Sequence, residues 1–282
     1  MKFVIYGVGA IGGVIAAKLA LSGAEVVGIA RGPQLAAIRD NGLLLRTPDG
    51  EARARFGAAG DPDELPFAAD DVIILAMKTQ DTPVALQRLR AAGVTTQAIV
   101  CAQNGVTNER FALRRFPNVY AMTVMMPSTY STAGEVSAFA SPLSGILDLG
   151  RYPSGSDETA ATIADALAKA GFASEVDPHA MQGKYGKLLL NLANIVDAAL
   201  VPGDHAALIK AARDEAEAVY QARHQLAGRW RRRPAPAGPD AVQAHRRGGA
   251  GRLLDRPEPR PPHRLDRNRL PQWRNRAAGA AP

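Results

Sequence analysis

Apolar residues recur along the first hundred positions in two alternating rhythms. Phe3 to Tyr6 form a short apolar run that stops at Gly7, and AIGGVIAAKLALSG after it repeats small and aliphatic residues at helical spacing. EVVGIA at 25–30 predicts a second strand, and PQLAAIRDNG predicts a helix closed by Asn41 and Gly42. After a turn-rich patch, VIILAM at 72–77 predicts a buried strand, TPVALQRLRAAG a helix and QAIVC another strand. Strands alternating with helices in this way predict an α/β, doubly wound parallel sheet. From about residue 157 the rhythm lengthens into DETAATIADALAKAGF, PHAMQGKYGKLLLNLANIVDAAL and GDHAALIKAARDEAEAVYQA, with FASEVD near 172–177 as a junction strand. The chain therefore divides, by pattern, into an α/β domain over 1–171, a mainly helical and incomplete domain over 172–222, and an irregular tail over 223–282.

Gly7, Gly9 and Gly12 give G-x-G-x-x-G between the first strand and the first helix, the spacing of a Rossmann-type dinucleotide loop. Gly7 permits the tight turn, Gly9 lets backbone approach a pyrophosphate, and Gly12 allows close contact of helix and strand. Ala10 and Ile11 lie between them, where the helix presents its free N–H groups and positive dipole end to phosphate. An acidic residue about twenty positions further on would bind the ribose hydroxyls of NAD, but GIARGPQ places Arg31 there instead. An arginine at that place pairs with a 2′-phosphate, so the expected cofactor is NADP. The alternative is a solvated surface arginine.

Lys187, Asn191 and Asn194 stand at i, i+4 and i+7 of one predicted helix and share a face. Leu188, Leu189, Leu190, Leu192 and Ile195 around them are apolar, so these polar groups need one another, water or a ligand as partners. A lysine in such packing can have its pKa lowered and act as a proton donor. The competing reading is a lysine that reaches the surface beside structural asparagines.

Composition changes this picture only at the end of the chain. The formal charge is +7, yet residues 223–282 hold 15 arginines, no lysine and four acids, which leaves the first 222 residues net negative. Cys101 is the single cysteine; IVCAQNG around it predicts inert burial in a reducing compartment. The apolar start could suit a secretory leader, but glycines 7, 9, 12 and 13 interrupt it, and a phosphate loop explains their spacing better. No run approaches the ~18 apolar residues of a membrane span, so a cytoplasmic chain with no membrane partner is expected. Fifteen arginines would attract phosphate strongly and with salt dependence. The tail nevertheless lacks interleaved aromatics, helical periodicity and any binding-module pattern, so no nucleic-acid partner is expected. With nine prolines and no Ile, Phe or Met to bury, the tail as written predicts disorder.

GVGAIG at 7–12, AMKTQDT with Lys78, QNGVTNE with Asn104 and GKYGKLLLNLANIVDA with Lys187 and Asn191 make residues 1 to about 222 resemble the ketopantoate reductase family, also called 2-dehydropantoate 2-reductase. The resemblance implies NADPH-dependent reduction of 2-dehydropantoate in pantothenate biosynthesis, in a cleft between a dinucleotide-binding domain and a helical domain. It implies Lys187 as general acid, Asn104 as a residue positioning substrate or cofactor, Asn191 as a substrate contact and Lys78 as a lining of the cofactor cleft. Where the family carries a second asparagine this chain has Ile195, with Asn194 one residue early as the candidate substrate contact. Another small-molecule 2-keto acid as substrate, or an opine-type or sugar-alcohol dehydrogenase of the same two-domain plan, stays open. So does the oligomeric state, a homodimer included.

The family pattern also calls for a last helical segment with a serine and a glutamate, which nothing after residue 222 matches. Sliding the codons of residues 252–276 forward by one base allows GSSTGQSLDRRTGSIETDYLNGEI, close to that segment. Tyrosine in the shifted frame requires a codon with T in the middle, and Leu270 supplies it. Similar sliding at Arg223, His224 and Gln225 puts the break near Ala222. The tail is thus expected to be an out-of-frame reading, and the chain as written a weak enzyme or a dinucleotide-binding remnant.

Overall fold

The computed structural model describes residues 1–201 and 203–222; the tail from 223 onward, with the expectations of irregularity and of a frameshift, lies outside the described residues. A seven-stranded sheet runs in the order β11-β8-β7-β6-β1-β2-β5. Its strands are β1 (Phe3–Tyr6), β2 (Val26–Ile29), β5 (Gly57–Ala59), β6 (Val72–Leu75), β7 (Ala98–Cys101), β8 (Val119–Met125) and β11 (Ile146–Arg151). All neighbours pair in parallel except β11, which runs antiparallel to β8. This is the doubly wound, Rossmann-like sheet that the alternating pattern predicts.

Both faces of the sheet are covered, which is why its central strands β1, β2, β6 and β7 read as continuous apolar runs rather than alternating. Phe3 and Ile5 point into one core with α1 (Ala10–Leu21) and α5 (Glu158–Lys169). Val4, Ile73 and Leu75 point into the other, with Leu86 and Leu89 of α3 (Thr82–Ala91) and with Ala112 of α4 (Asn108–Leu113). The chain leaves β1 towards β2 and later returns on β1's other side as β6, paired Phe3 to Val72. The carboxyl ends of β1 and β6 therefore form the switch point where such sheets open a crevice for ligands.

A second sheet, in the order β4-β3-β10-β9, was not expected from the pattern. It joins β3 (Leu43–Thr47) and β4 (Gly50–Ala54) to β9 (Ser128–Thr129) and β10 (Glu135–Ala138), with β10 parallel to β3. α1 lies between the two sheets, so it has no polar face and seven of its residues, Gly12 to Ala17 and Leu19, are buried. The sandwich also explains Gly13: a Cβ there would stand 2.7 Å from Val136 of β10. In place of the junction strand, Ala173 and Val176 make isolated parallel bridges to Ile146 and Leu149 of β11. Beyond them, α6 (Ala180–Ala199) packs on β8 and on α7 (Ala206–Ala222).

Candidate active site

Gly7 ends β1 at φ +101°, a conformation that favours glycine, and a Cβ there would stand 2.8 Å from the Met77 nitrogen. Gly12 is pressed against the Gly7 carbonyl and Ala76 at the end of β6. Gly9, the N-cap of α1, is different: a Cβ there would meet nothing within 4 Å. Two glycines of the loop are thus required by packing and the third faces open space. The first helical bond runs from Gly13 N–H to the Gly9 carbonyl at 2.7 Å. Helix geometry leaves the N–H groups of Ala10, Ile11 and Gly12 without helical acceptors, aimed at that space.

Arg31 is the exposed N-cap of α2 (Gly32–Asn41), two residues after β2, and forms no salt bridge among the described residues. Three residues on, buried Gln34 donates to the Val8 carbonyl at 2.9 Å and accepts from Gly134 N–H at 2.7 Å. It ties the glycine loop to the second sheet, a role the sequence pattern does not reveal because its partners are 26 and 100 residues away. Lys78 follows β6 as an exposed residue capping a short 3-10 turn, Thr79–Asp81.

The second cluster forms where α6 crosses the ends of β7 and β8. Gly183 permits that crossing, since a Cβ there would stand 2.7 Å from Thr123 Oγ1. The Lys187 ammonium donates to Asn104 Oδ1 at 2.6 Å. Gln103, Asn104, Gly105, Met122, Thr123, Val124, Lys184, Lys187 and Asn191 line a small recess that opens to solvent. Burial first, and the charge of Lys184 second, push the Lys187 amine down to about 8.

The structure thus brings together Lys187, Asn104 and Asn191, which lie up to 87 residues apart in the pattern above. Asn194 is exposed one turn further along α6 and is not among the residues that line the recess. Sequence reasoning passed over Lys184, Gln103, Thr123 and Glu109. Lys184 could have been noticed, because it precedes Lys187 by one helical turn. The others had no periodic signal. Among the described residues, no helix is long and apolar enough to cross a membrane, and no group of three or more His, Cys, Asp or Glu could hold a metal ion.

A family model described as ketopantoate reductase PanE/ApbA matches residues 3–154, just over half of the 282 residues. A 2-dehydropantoate 2-reductase of Mesorhizobium japonicum is 41% identical over 107 residues, covering 38% of this chain and 32% of that protein. One from Pyrococcus horikoshii is 28% identical over 193 residues, covering 68% and 62%. The matches thus span about a third and about three fifths of those two relatives. Among solved structures, a PanE/ApbA family ketopantoate reductase from Ralstonia eutropha is similar with TM-score 0.69 and 25% identity, covering 89% of this chain and 80% of that one. The ternary structure of D-mandelate dehydrogenase with NADH and anilino(oxo)acetate is similar with TM-score 0.61 and 25% identity, covering 68% and 62%. By the span of that family match, the chain belongs to the ketopantoate reductase PanE/ApbA family.

Proposed function

We propose that this chain is built for NADPH-dependent reduction of a 2-keto acid of the ketopantoate type, with Lys187 as proton donor. The observation that carries the reading is the Lys187–Asn104 hydrogen bond of 2.6 Å in a recess at the ends of β7 and β8. The residues at the glycine loop fit a dinucleotide: Gly9 leaves room for a pyrophosphate, the first turn of α1 offers N–H donors, and the exposed Arg31 offers a guanidinium for a 2′-phosphate. When bound, the dinucleotide supplies the hydride. Lys187 holds a proton at Nζ for the oxygen of the substrate carbonyl, and at about 8 its amine is mostly protonated at neutral pH and still able to give the proton up. Asn104 fixes the direction of that N–H. Asn191, one turn along α6, faces the same recess and suits a carboxylate or hydroxyl of the substrate.

The experiment has two stages. NADPH fluorescence is titrated with the purified protein, and ketopantoate is then added while NADPH oxidation is followed. Binding with weak or absent turnover is expected of the 282-residue chain, because the serine and glutamate of the family pattern are missing after residue 222. A chain with the reading frame restored from codon 223 should turn over. Absence of NADPH binding in both proteins would refute the reading. A second reading, use of NADH, is favoured by the likeness to a dehydrogenase solved with NADH; tighter binding of NADH than of NADPH would establish it.

A further inference from the structure

Beneath the recess lies a buried ion pair that the chemistry above does not use. Glu109, in the first turn of α4, is 0% exposed and Lys184 of α6 is 3% exposed, and the two meet as an ion pair. Neither Glu109 oxygen has a hydrogen-bond donor of ordinary geometry among the described residues, so its charge leans on Lys184 alone. Charges buried this deeply recover their lost hydration only with full geometry, and a well-packed apolar pair is often as stable or more so. What Lys184 holds in place is therefore informative.

An ammonium has three N–H donors. One side of Lys184 faces Glu109, and its nitrogen also donates to the carbonyls of Cys101 at 3.0 Å and Gln103 at 2.9 Å. Those carbonyls end β7 and begin the loop that carries Asn104, the partner of Lys187. Asn108 holds the loop from the other side, donating to the Asn104 carbonyl at 3.2 Å while its own Oδ1 accepts from the Thr82 hydroxyl at 3.0 Å. Gln103 is fastened as well, donating to Thr82 Oγ1 at 2.7 Å.

We propose that Lys184, with Glu109 as its counter-charge, is the positioning residue of this site: it clamps the Gln103–Gly105 loop to α6 so that Asn104 meets Lys187, and it sets a positive charge beside the Lys187 amine. The inference rests on Lys187 being the proton donor. Few other groups bear on that amine. The loop contributes Gln103 and Asn104, β8 contributes Met122, Thr123 and Val124, and α6 contributes Asn191, all uncharged. From α7, Arg213 donates to the Leu189 carbonyl at 3.3 Å and the Tyr220 hydroxyl to the Tyr185 carbonyl at 3.5 Å. After burial, Lys184 is the charge that lowers Lys187.

The test is competitive acetylation of the full 282-residue protein with acetic anhydride over a pH series, with Lys187 followed by peptide mass spectrometry. Lys184→Gln/Glu109→Gln replaces the charge pair by two neutral carboxamides. In that variant the reactivity midpoint of Lys187 should rise above about 8 yet stay short of the ordinary 10.5, because burial, the larger cause, remains. Circular dichroism and a thermal melt report folding, and Lys184→Met/Glu109→Leu removes the same charges with an apolar pair if the first variant does not fold. A midpoint that stays near 8 in a folded, uncharged variant overturns the proposal. Acetylation needs neither cofactor nor substrate, so a midpoint that shifts as expected, beside a chain with the shifted-frame C-terminus that never oxidises NADPH with ketopantoate, refutes the proposed reaction and leaves this pairing standing.

Discussion

In the seven-stranded sheet Val4, Ile5, Ile73, Ile74 and Ile99 are fully enclosed, whereas Ile195 near the end of α6 is 66% exposed and Val201 after it 80% exposed. On α7, Leu208 and Val219 are about half exposed as well. The sheet has helices on one face and helices plus a second sheet on the other, so most of its strand residues are buried. α6 meets the sheet mainly through its first turns, where Ala180, Met181, Gly183 and Lys184 are buried against β8 and the β7 loop. Further along, Leu188, Leu189, Leu190 and Leu192 are left partly covered. The two regions therefore contribute different things: the sheet holds the fold together, and the first half of α6 brings Lys184 and Lys187 to its edge.

That division can be tested by separating stability from chemistry. In a chain carrying the shifted-frame C-terminus, Lys187→Met should cut turnover by about 10²- to 10⁴-fold, the usual worth of a positioned proton donor, while the melting temperature and NADPH affinity stay unchanged. A parallel fall in melting temperature would show that α6 carries stability too. Next in size, Ile74→Ala in the enclosed sheet should cost about 2–5 kcal/mol by chemical denaturation. Ile195→Ala on the exposed side of α6 should change it by no more than about 0.5 kcal/mol. Equal costs at the two sites would erase the contrast.

Smaller effects probe the sheet's ligand edge. Arg31→Glu should weaken NADPH by roughly 1.5–3 kcal/mol, the worth of a charge-assisted hydrogen bond, and weaken NADH much less, as fluorescence titration would reveal. Equal losses for both would remove the 2′-phosphate role. Finally, the pH dependence has a definite sign. As the proposed proton donor Lys187 acts only when protonated, so kcat should fall as pH rises through about 8. The same amine is held below its ordinary 10.5, so the unfolded chain binds more protons between about 8 and 10.5. Its burial therefore opposes folding below about 8, and that opposition fades as pH rises across this window.

The sequence was most readable where burial repeats locally. The βα alternation of 1–101, the boundaries of α1, α2 and α3, and the three long helices after 157 all follow from neighbouring residues sharing one environment. It was least readable where partners are remote. β3 and β4 are a hairpin whose sheet is completed by β10 about ninety residues later, and β4, GEARA, carries too little apolar character to announce itself. β11 was missed for a related reason, since its antiparallel pairing with β8 closes an edge of the sheet rather than continuing the βα rhythm.

The site divides along the same line. G-x-G-x-x-G and the Lys187–Asn191 spacing are local patterns, so residue types and intervals alone determined that a glycine-rich turn between strand and helix and a polar helix face exist. Only the tertiary structure decided that Gly9 is the loop glycine with open space, that Gly13 is required by a second sheet, and that Asn104 rather than Asn194 meets the recess. It also decided that Glu109 and Lys184 lie buried together beneath Lys187. The physical reason is that hydrogen bonds and ion pairs between distant segments depend on distances set by packing, and no periodicity along the chain encodes them.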